Sequence, residues 1–271
     1  MSNFKILKSP WEKDFVRLLG STKRHVRLAS PFIKTDVASL IAQNVRAEAR
    51  IDFLSSFKLA NFHRGASDLE ALSLLLHQDA SIRNYHRLHA KIFVFDDKRA
   101  VVTSANLTPG GLFNNYEYGI LIEDEKLSVK IALDFKKIFD DKDLTGDITS
   151  EIIDTASAIL AAIPKEIGRR FAVAEETLLS KVAEEHDRYE GGTESIQKNL
   201  KGWEKDVFDV LNEIDLDIFK LKDVYEYEER LSKLHPENKF VKAKIRQQLQ
   251  QLRDLGLIEF LERGIYRKLW K

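Results

Sequence analysis

The sequence predicts a layered α/β domain, a helical stretch behind it, and a small unit of three helices closed by a β-hairpin. Three observations carry this. Runs rich in β-branched and aromatic residues alternate with amphipathic helical runs between His25 and Glu123; the pattern is helical from Ser128 to about Leu200; and a compact helix-then-hairpin pattern fills Trp203 to Lys271.

Taken in order, His25–Ser30 reads as a strand stopped by Pro31, Asp36–Arg46 as a helix and Arg50–Leu54 as a second strand. Ser67–His77 reads as a helix, with Ser67 as its cap and Glu70 three residues on completing a capping box. Leu88–Phe95, Ala100–Thr103 and Tyr116–Glu123 follow as strands. The helical stretch comprises SVKIALDFKKIF, ITSEIIDTASAILAAI and FAVAEETLLSKVAEEH, and Gly191-Gly192-Thr193 is the candidate linker. The last unit places helices at Glu204–Ile214, Lys222–Leu234 and about Lys239–Leu255. Gly256 stops the third, and strands Leu257–Leu261 and Ile265–Leu269 are joined by a Glu-Arg-Gly turn. Three helices and a terminal hairpin make a winged helix. The expected domains are therefore 1–195 (core about 23–150) and 202–271.

A chain of 271 residues holds two such domains, and 44% hydrophobic with 32% charged residues excludes a disordered tail protein. No run approaches the ~18 apolar residues of a membrane span, and the start, MSNFKILKSPWEKDF, lacks the apolar stretch of a signal peptide. A cytoplasmic protein without membrane partners is expected. Zero cysteines exclude a disulfide scaffold, a thiol nucleophile and a sulfur-ligated zinc. With 43 Lys/Arg against 43 Asp/Glu the whole-chain field points to no class of partner.

The chemistry concentrates in His89-Ala-Lys91, four further residues, Asp96, six more, then Thr103-Ser104-Ala-Asn106. On a strand of period two, His89 and Lys91 share a face and Asp96 takes the other. The strand after Tyr116 brings Glu117 towards the same corner. Lys91 and Asn106 suit phosphate oxygens, as a point charge and as hydrogen-bond donors, with Ser104 bonding inside the same site. His89, titrating near neutrality, can attack phosphorus or protonate a leaving alkoxide. Asp96 is expected to hold backbone rather than substrate.

These spacings resemble the signature of the phospholipase D superfamily. SPFI from Ser30 and SANLTPGG from Ser104 are similar to its single-copy nuclease branch, over Lys23 to Asp124. Thr103 stands where that family usually has Gly. The resemblance implies a layered mixed-sheet domain with helices and a site using two H-x-K copies, one histidine as nucleophile and the other as general acid. Of the seven histidines here, His89 alone has Lys two positions on, so a homodimer through this domain is expected to complete the site. No metal and no cofactor is expected, because Lys91 and Asn106 neutralise the phosphoryl charge. His63, His86 and Arg64 are read as surface or core polar groups.

Charge segregates in the last unit: Glu204–Glu237 carries a balance of −6, Lys239–Lys271 one of +6. On the third helix Val241, Ile245, Leu249 and Leu252 form one arc facing the core. The opposite arc presents Ala243, Arg246, Gln247 and Gln250 to base edges, with Lys239, Lys242, Arg263, Arg267 and Lys268 on phosphates. KIRQQLQ, LRDLGLIEFL and RGIYR resemble the C-terminal winged helix of the Dam-replacing and methyladenine-dependent restriction enzymes, over Gly202 to Trp270. That family joins the module to a different, metal-dependent nuclease. The resemblance also implies that Trp203 could read a methyl group, against its packing the first helix.

The reading is a metal-independent, sequence-specific, type II restriction-like endonuclease acting on double-stranded DNA, with a cognate methyltransferase or helicase as a candidate partner. A non-specific or repair nuclease, and a catalytically silent DNA-binding regulator, remain open at this point.

Overall fold

The computed structural model describes residues 3–162, 189 and 192–270. Its contacts divide the chain into two units, Met1–Phe57 with Gly65–Ser150, and Lys58–Arg64 with Glu151–Lys271. The stretch FAVAEETLLSKVAEEH lies outside the described residues.

The first unit is a mixed α/β layer structure. Its strands are β1 (Phe4–Lys8), β2 (His25–Ala29), β3 (Arg50–Ser55), β4 (Ser81–Asn84), β5 (Ile92–Phe95), β6 (Arg99–Thr103), β7 (Tyr118–Ile122) and β8 (Gly146–Asp147). They form one sheet in the order β1-β7-β6-β5-β2-β3-β4-β8, with β2, β3 and β4 parallel and their other neighbours antiparallel. From Ile51 to Ser55, β3 is buried along its whole length, as a parallel strand covered on both faces must be. Helices α1 (Glu12–Ser21), α2 (Thr35–Asn44), α4 (Leu69–Leu76) and α5 (Glu125–Phe139) belong to this unit, while α3 (Leu59–His63) groups with the second.

Adjacent residues of β5 show the two layers. Phe93 packs against Trp11 and Phe15, with ring centroids 6.0 and 5.8 Å away. Its neighbour Val94 faces the other way, into a cluster with Ala100, Ile122 and Ala132 of α5. Phe135 and Phe139 of the same helix close over Ala29, Leu54 and Leu88. Asp96 and Asp97 turn the chain between β5 and β6 with φ of 54° and 58°, a left-handed conformation that Asp tolerates. The Asp96 carboxylate accepts the backbone N–H groups of Lys23, Arg24 and His25 at 2.8–3.0 Å, stapling this turn to the start of β2.

Ser67 does not cap the helix that follows it. Its hydroxyl is buried and bonds both the N–H and the carbonyl of Ile33. Asp68 occupies the cap position of α4 without a capping bond, because its carboxylate instead accepts from Lys34 Nζ and from the Thr35 N–H that opens α2. The tie between two loops wins over the local cap.

The second unit contains α6 (Ser150–Ala161), α7 (Thr193–Asn199), α8 (Gly202–Glu213), α9 (Leu221–Tyr225), α10 (Glu228–Leu234) and α11 (Val241–Asp254). Its strands β9 (Ile218–Lys220), β10 (Ile258–Glu262) and β11 (Ile265–Lys268) pair in the order β10-β11-β9. Thr193 opens α7 with Gly192 at φ 80° as its cap position, so this part of the candidate linker is a helix start. The single helix expected over Lys222–Leu234 is two, interrupted at Glu226 and Tyr227. Gly256, at φ 72°, ends α11 as expected: its N–H reaches the Arg253 carbonyl and Leu257 N–H reaches Leu252, a Schellman pair. No helix among the described residues is long and apolar enough to cross a membrane.

Candidate active site and nucleic-acid interface

His89 and Lys91 do not lie on a strand. The β2–β5 ladder begins at Ala29–Ile92, and Leu88 is sunk into the cluster of Ala29, Leu54, Phe135 and Phe139. Leu88 and Ile92 are therefore the two anchors of a short bow, His89-Ala90-Lys91, that rises between them. His89 is exposed, and among the described residues no hydrogen bond holds its ring. Lys91 is half-buried, its Nζ donates to the His89 carbonyl at 3.0 Å, and its own carbonyl accepts the Thr103 N–H at 3.2 Å. Burial pushes the Lys91 ammonium below the ordinary lysine range, and Glu117 nearby pulls the other way.

Ser104 and Glu117 meet directly. The Ser104 hydroxyl donates to Glu117 Oε2 in a short hydrogen bond and accepts the Tyr118 N–H at 3.1 Å. Asn106 follows two residues later, its Oδ1 lying 3.5 Å from the Ser30 hydroxyl, which donates to the Phe32 carbonyl at 2.7 Å. Ser30 is fully buried and also receives the Leu107 N–H at 3.1 Å, so the end of β2 aligns the Asn106 loop. Lys91 interacts with Glu117 and Glu117 bonds Ser104, with His89 and Asn106 two residues away along the chain on either side, a set of residue types suited to gripping a phosphodiester.

Three features of this corner escape sequence reasoning. A Cβ on Gly111 would lie 2.2 Å from the Asn106 carbonyl oxygen, so only glycine lets the loop fold back on Asn106. Trp11 bolts that loop from outside: its indole N–H reaches the Gly111 carbonyl at 3.1 Å and its backbone N–H the Leu112 carbonyl at 3.1 Å. Thr103, the departure from the family pattern, faces Gly119 across the ladder. A Cβ there would meet the Thr103 side chain at 2.8 Å, so the missing side chain on β7 makes room for the extra one on β6. Asp96, occupied by three backbone N–H groups, is held below the usual carboxylate range by them although burial pushes it up.

In the second unit, Val241, Ile245, Leu249 and Leu252 are buried and Ala243, Arg246, Gln247 and Gln250 are exposed. Lys239, Lys242 and Arg263 are also exposed. Arg246 donates to the Tyr225 hydroxyl at 2.8 Å, and Lys242 pairs with Glu228 at 3.1 Å. Arg267 is partly exposed beside Glu259, 3.5 Å away. Lys268 is not on this surface: it is buried, donates to the Ile214 carbonyl, and lies over the Trp270 ring. Trp203 stacks on His235 with ring centroids 4.1 Å apart and lines an open depression with Asn238, Lys239, Phe240 and Lys244. Phe240, directly before α11, is 77% exposed and was not among the expected contacts.

Comparison with known proteins matches each unit separately. Residues 15–140 match the family described as cardiolipin synthase, PLD-like domain, and residues 199–268 the Dam-replacing HTH domain. The chain is 45% identical over 47 residues to the DISARM protein DrmC of Bacillus paralicheniformis, covering 17% of this chain and 20% of the relative. It is 26% identical over 151 residues to a cardiolipin synthase of Staphylococcus aureus, covering 51% of this chain and 29% of the relative. The matches thus span less than a third of either relative. Among solved structures, the phospholipase D family member Nuc from Salmonella typhimurium superposes with a TM-score of 0.46 at 16% identity, covering 54% of this chain and 98% of Nuc. NucT from Helicobacter pylori gives 0.40 at 17%, covering 51% and 95%.

Proposed function

The chain joins a phospholipase D-like domain to a C-terminal Dam-replacing winged-helix domain, and from that premise we propose that it is a restriction-type DNA endonuclease. The observation that supports the proposal is that one chain joins a corner of polar and charged groups suited to a phosphodiester (His89, Lys91, Ser104, Asn106 and Glu117) to a domain that matches a helix-turn-helix family. The DrmC relative, a DISARM protein, supports a restriction-type setting, in which a methyltransferase or helicase would be a partner.

In the proposed reaction an imidazole nitrogen of one His89 attacks phosphorus, and the bond from phosphorus to the leaving oxygen breaks. The His89 of a second copy gives its proton to that oxygen. Water then loses a proton to the second histidine and attacks the phosphohistidine, and the P–N bond breaks. Lys91 and Asn106 hold the non-bridging oxygens throughout, so their donors, not a divalent cation, offset the charge. Glu117 and Ser104 orient Lys91 and the loop. Arg246, Gln247 and Gln250 face base edges with Ala243 beside them, Lys239, Lys242, Arg263 and Arg267 hold phosphates, and Trp203 borders the groove.

Digestion of plasmids with and without adenine methylation, in EDTA, tests this directly. Discrete fragments are expected, with the methyl sense read from the difference between the two plasmids. A smear would point to a non-specific nuclease, and cutting that needs magnesium would overturn the histidine mechanism.

A further inference from the structure

Arg246 differs from its neighbour Gln247 on the exposed arc of α11 in being held from outside the helix. Gln247 is bonded within α11, taking Lys244 Nζ at 3.0 Å. Arg246 instead donates from Nη1 to the Tyr225 hydroxyl at 2.8 Å, a partner 21 positions earlier in the chain.

Tyr225 is itself fixed from several sides. It is the last residue of α9, whose first N–H, that of Leu221, bonds the Gly264 carbonyl in the wing turn at 2.9 Å. Immediately before α9, β9 pairs with β11, Lys220 lying opposite Ile265, and Val224 is fully buried. Over the Tyr225 ring, 5.5 Å from its centroid, stands Lys242 Nζ, which also pairs with Glu228 of α10 at 3.1 Å. Lys242 and Arg246 are four residues apart and share one face of α11. One phenol therefore meets both cations, its ring the first and its hydroxyl the second.

The bond between Arg246 and Tyr225 adds little to stability, because Tyr225 is half-buried, Arg246 is exposed and water competes for both groups. Its effect is on orientation. An unheld arginine spreads over many rotamers, and ordering it costs entropy at the moment of binding. The guanidinium is planar and rigid, so bonding one of its N–H groups fixes the plane of the rest. A guanine edge in the major groove offers N7 and O6 together, which suits a fork already held in one plane.

We propose that Tyr225 is a positioning residue that holds the Arg246 fork ready for a guanine edge in the major groove. The inference rests on the reading of α11 as the helix that meets DNA, and it sets one anchored side chain among neighbours that stay free to adjust.

The test uses the full chain carrying His89→Ala, so that bound DNA stays whole, and a pool of duplexes with a randomised centre, sequenced after binding. Arg246→Ala should erase a guanine preference at one position of the site. Tyr225→Phe keeps the ring and removes only the hydroxyl, and should weaken that same preference by roughly 3- to 10-fold. Other positions, thermal melting, and the affinity and salt slope on a duplex of scrambled sequence should not change. Tyr225→Phe added to Arg246→Ala should do nothing further. A parent pool without base preference, or a guanine preference that survives Arg246→Ala, overturns the reading of α11 and the proposal with it. A preference lost in Arg246→Ala but intact in Tyr225→Phe overturns the positioning role alone and leaves α11 as the reading helix. So does a Tyr225→Phe loss that is equal at every position, or one that adds fully to that of Arg246→Ala.

Discussion

The proposed catalytic corner and the proposed recognition helix differ in how tightly their groups are held. Around Asn106 nearly every backbone group is committed: Ser30 fixes Leu107, Thr108 bonds the Asn106 carbonyl, Trp11 bolts Gly111, and glycine is imposed at 111 by a 2.2 Å approach. On α11 the groups proposed to meet DNA are exposed side chains held by few partners, Arg246 on the Tyr225 hydroxyl and Lys242 between Glu228 and the Tyr225 ring. Attack on phosphorus needs reacting atoms placed to a fraction of an ångström, whereas a helix reading base edges gains by letting long side chains adjust. The two regions should therefore fail differently when perturbed.

The sharpest contrast comes from His89→Ala. Cleavage should fall on the order of 10^4-fold or more, since the proposed nucleophile and the proposed general acid would be lost together, while gel-shift affinity for DNA stays unchanged; retained cutting would dissolve the distinction. Next is Gly111→Ala, which supplies no reacting group itself but should push the Asn106 loop aside and cost ~100-fold in cleavage, again without weakening binding. Arg246→Ala should do the reverse, lowering affinity by roughly 10- to 100-fold while cleavage at saturating DNA survives. Lys242→Ala should weaken binding least, uniformly across sequences and with a shallower salt dependence, because Glu228 already shares its charge.

pH separates the regions once more. Burial holds the Lys91 ammonium below the ordinary lysine range, so the protonated form proposed to hold phosphate is lost earlier as pH rises. Cleavage at saturating DNA should decline on the alkaline side before free lysine titrates. Glu117→Gln removes the group that pulls in the opposite direction, so the normalised profile should fall at still lower pH.

Much of this architecture is legible in the chain because the signals are long or chemically specific. Four apolar residues on one arc mark α11, Gly256 marks its end, and the spacing from His89 to Asn106 marks the corner. Short or non-local features are not legible. β9 has three residues and β8 two, too few for a period to show, and β1 and β4 are set by their partners in the sheet. Ser67 and Asp68 carry the local pattern of a cap but bond to Ile33, Lys34 and Thr35, more than thirty residues back. His89 and Lys91 look like strand residues, yet Leu88 is sunk in the core and the β2–β5 ladder begins only at Ile92, so the segment between them stands outside the sheet. Lys268 shows the same limit in the winged helix: its charge suggests a phosphate, and its place in β11 turns it inward to a carbonyl.

The facing pair Thr103 and Gly119 has a consequence for how this corner can change over generations. One shared volume is divided between two strands, so neither position is free to vary alone. Gly119→Ala should be damaging in this background, with Thr103 at 2.8 Å from the added carbon, and much milder once Thr103→Gly has emptied the space, the next contact then being the Val102 carbonyl at 3.0 Å. Homologues with glycine at the first position should then be the ones that tolerate a side chain at the second, a covariation that any large set of related sequences would display.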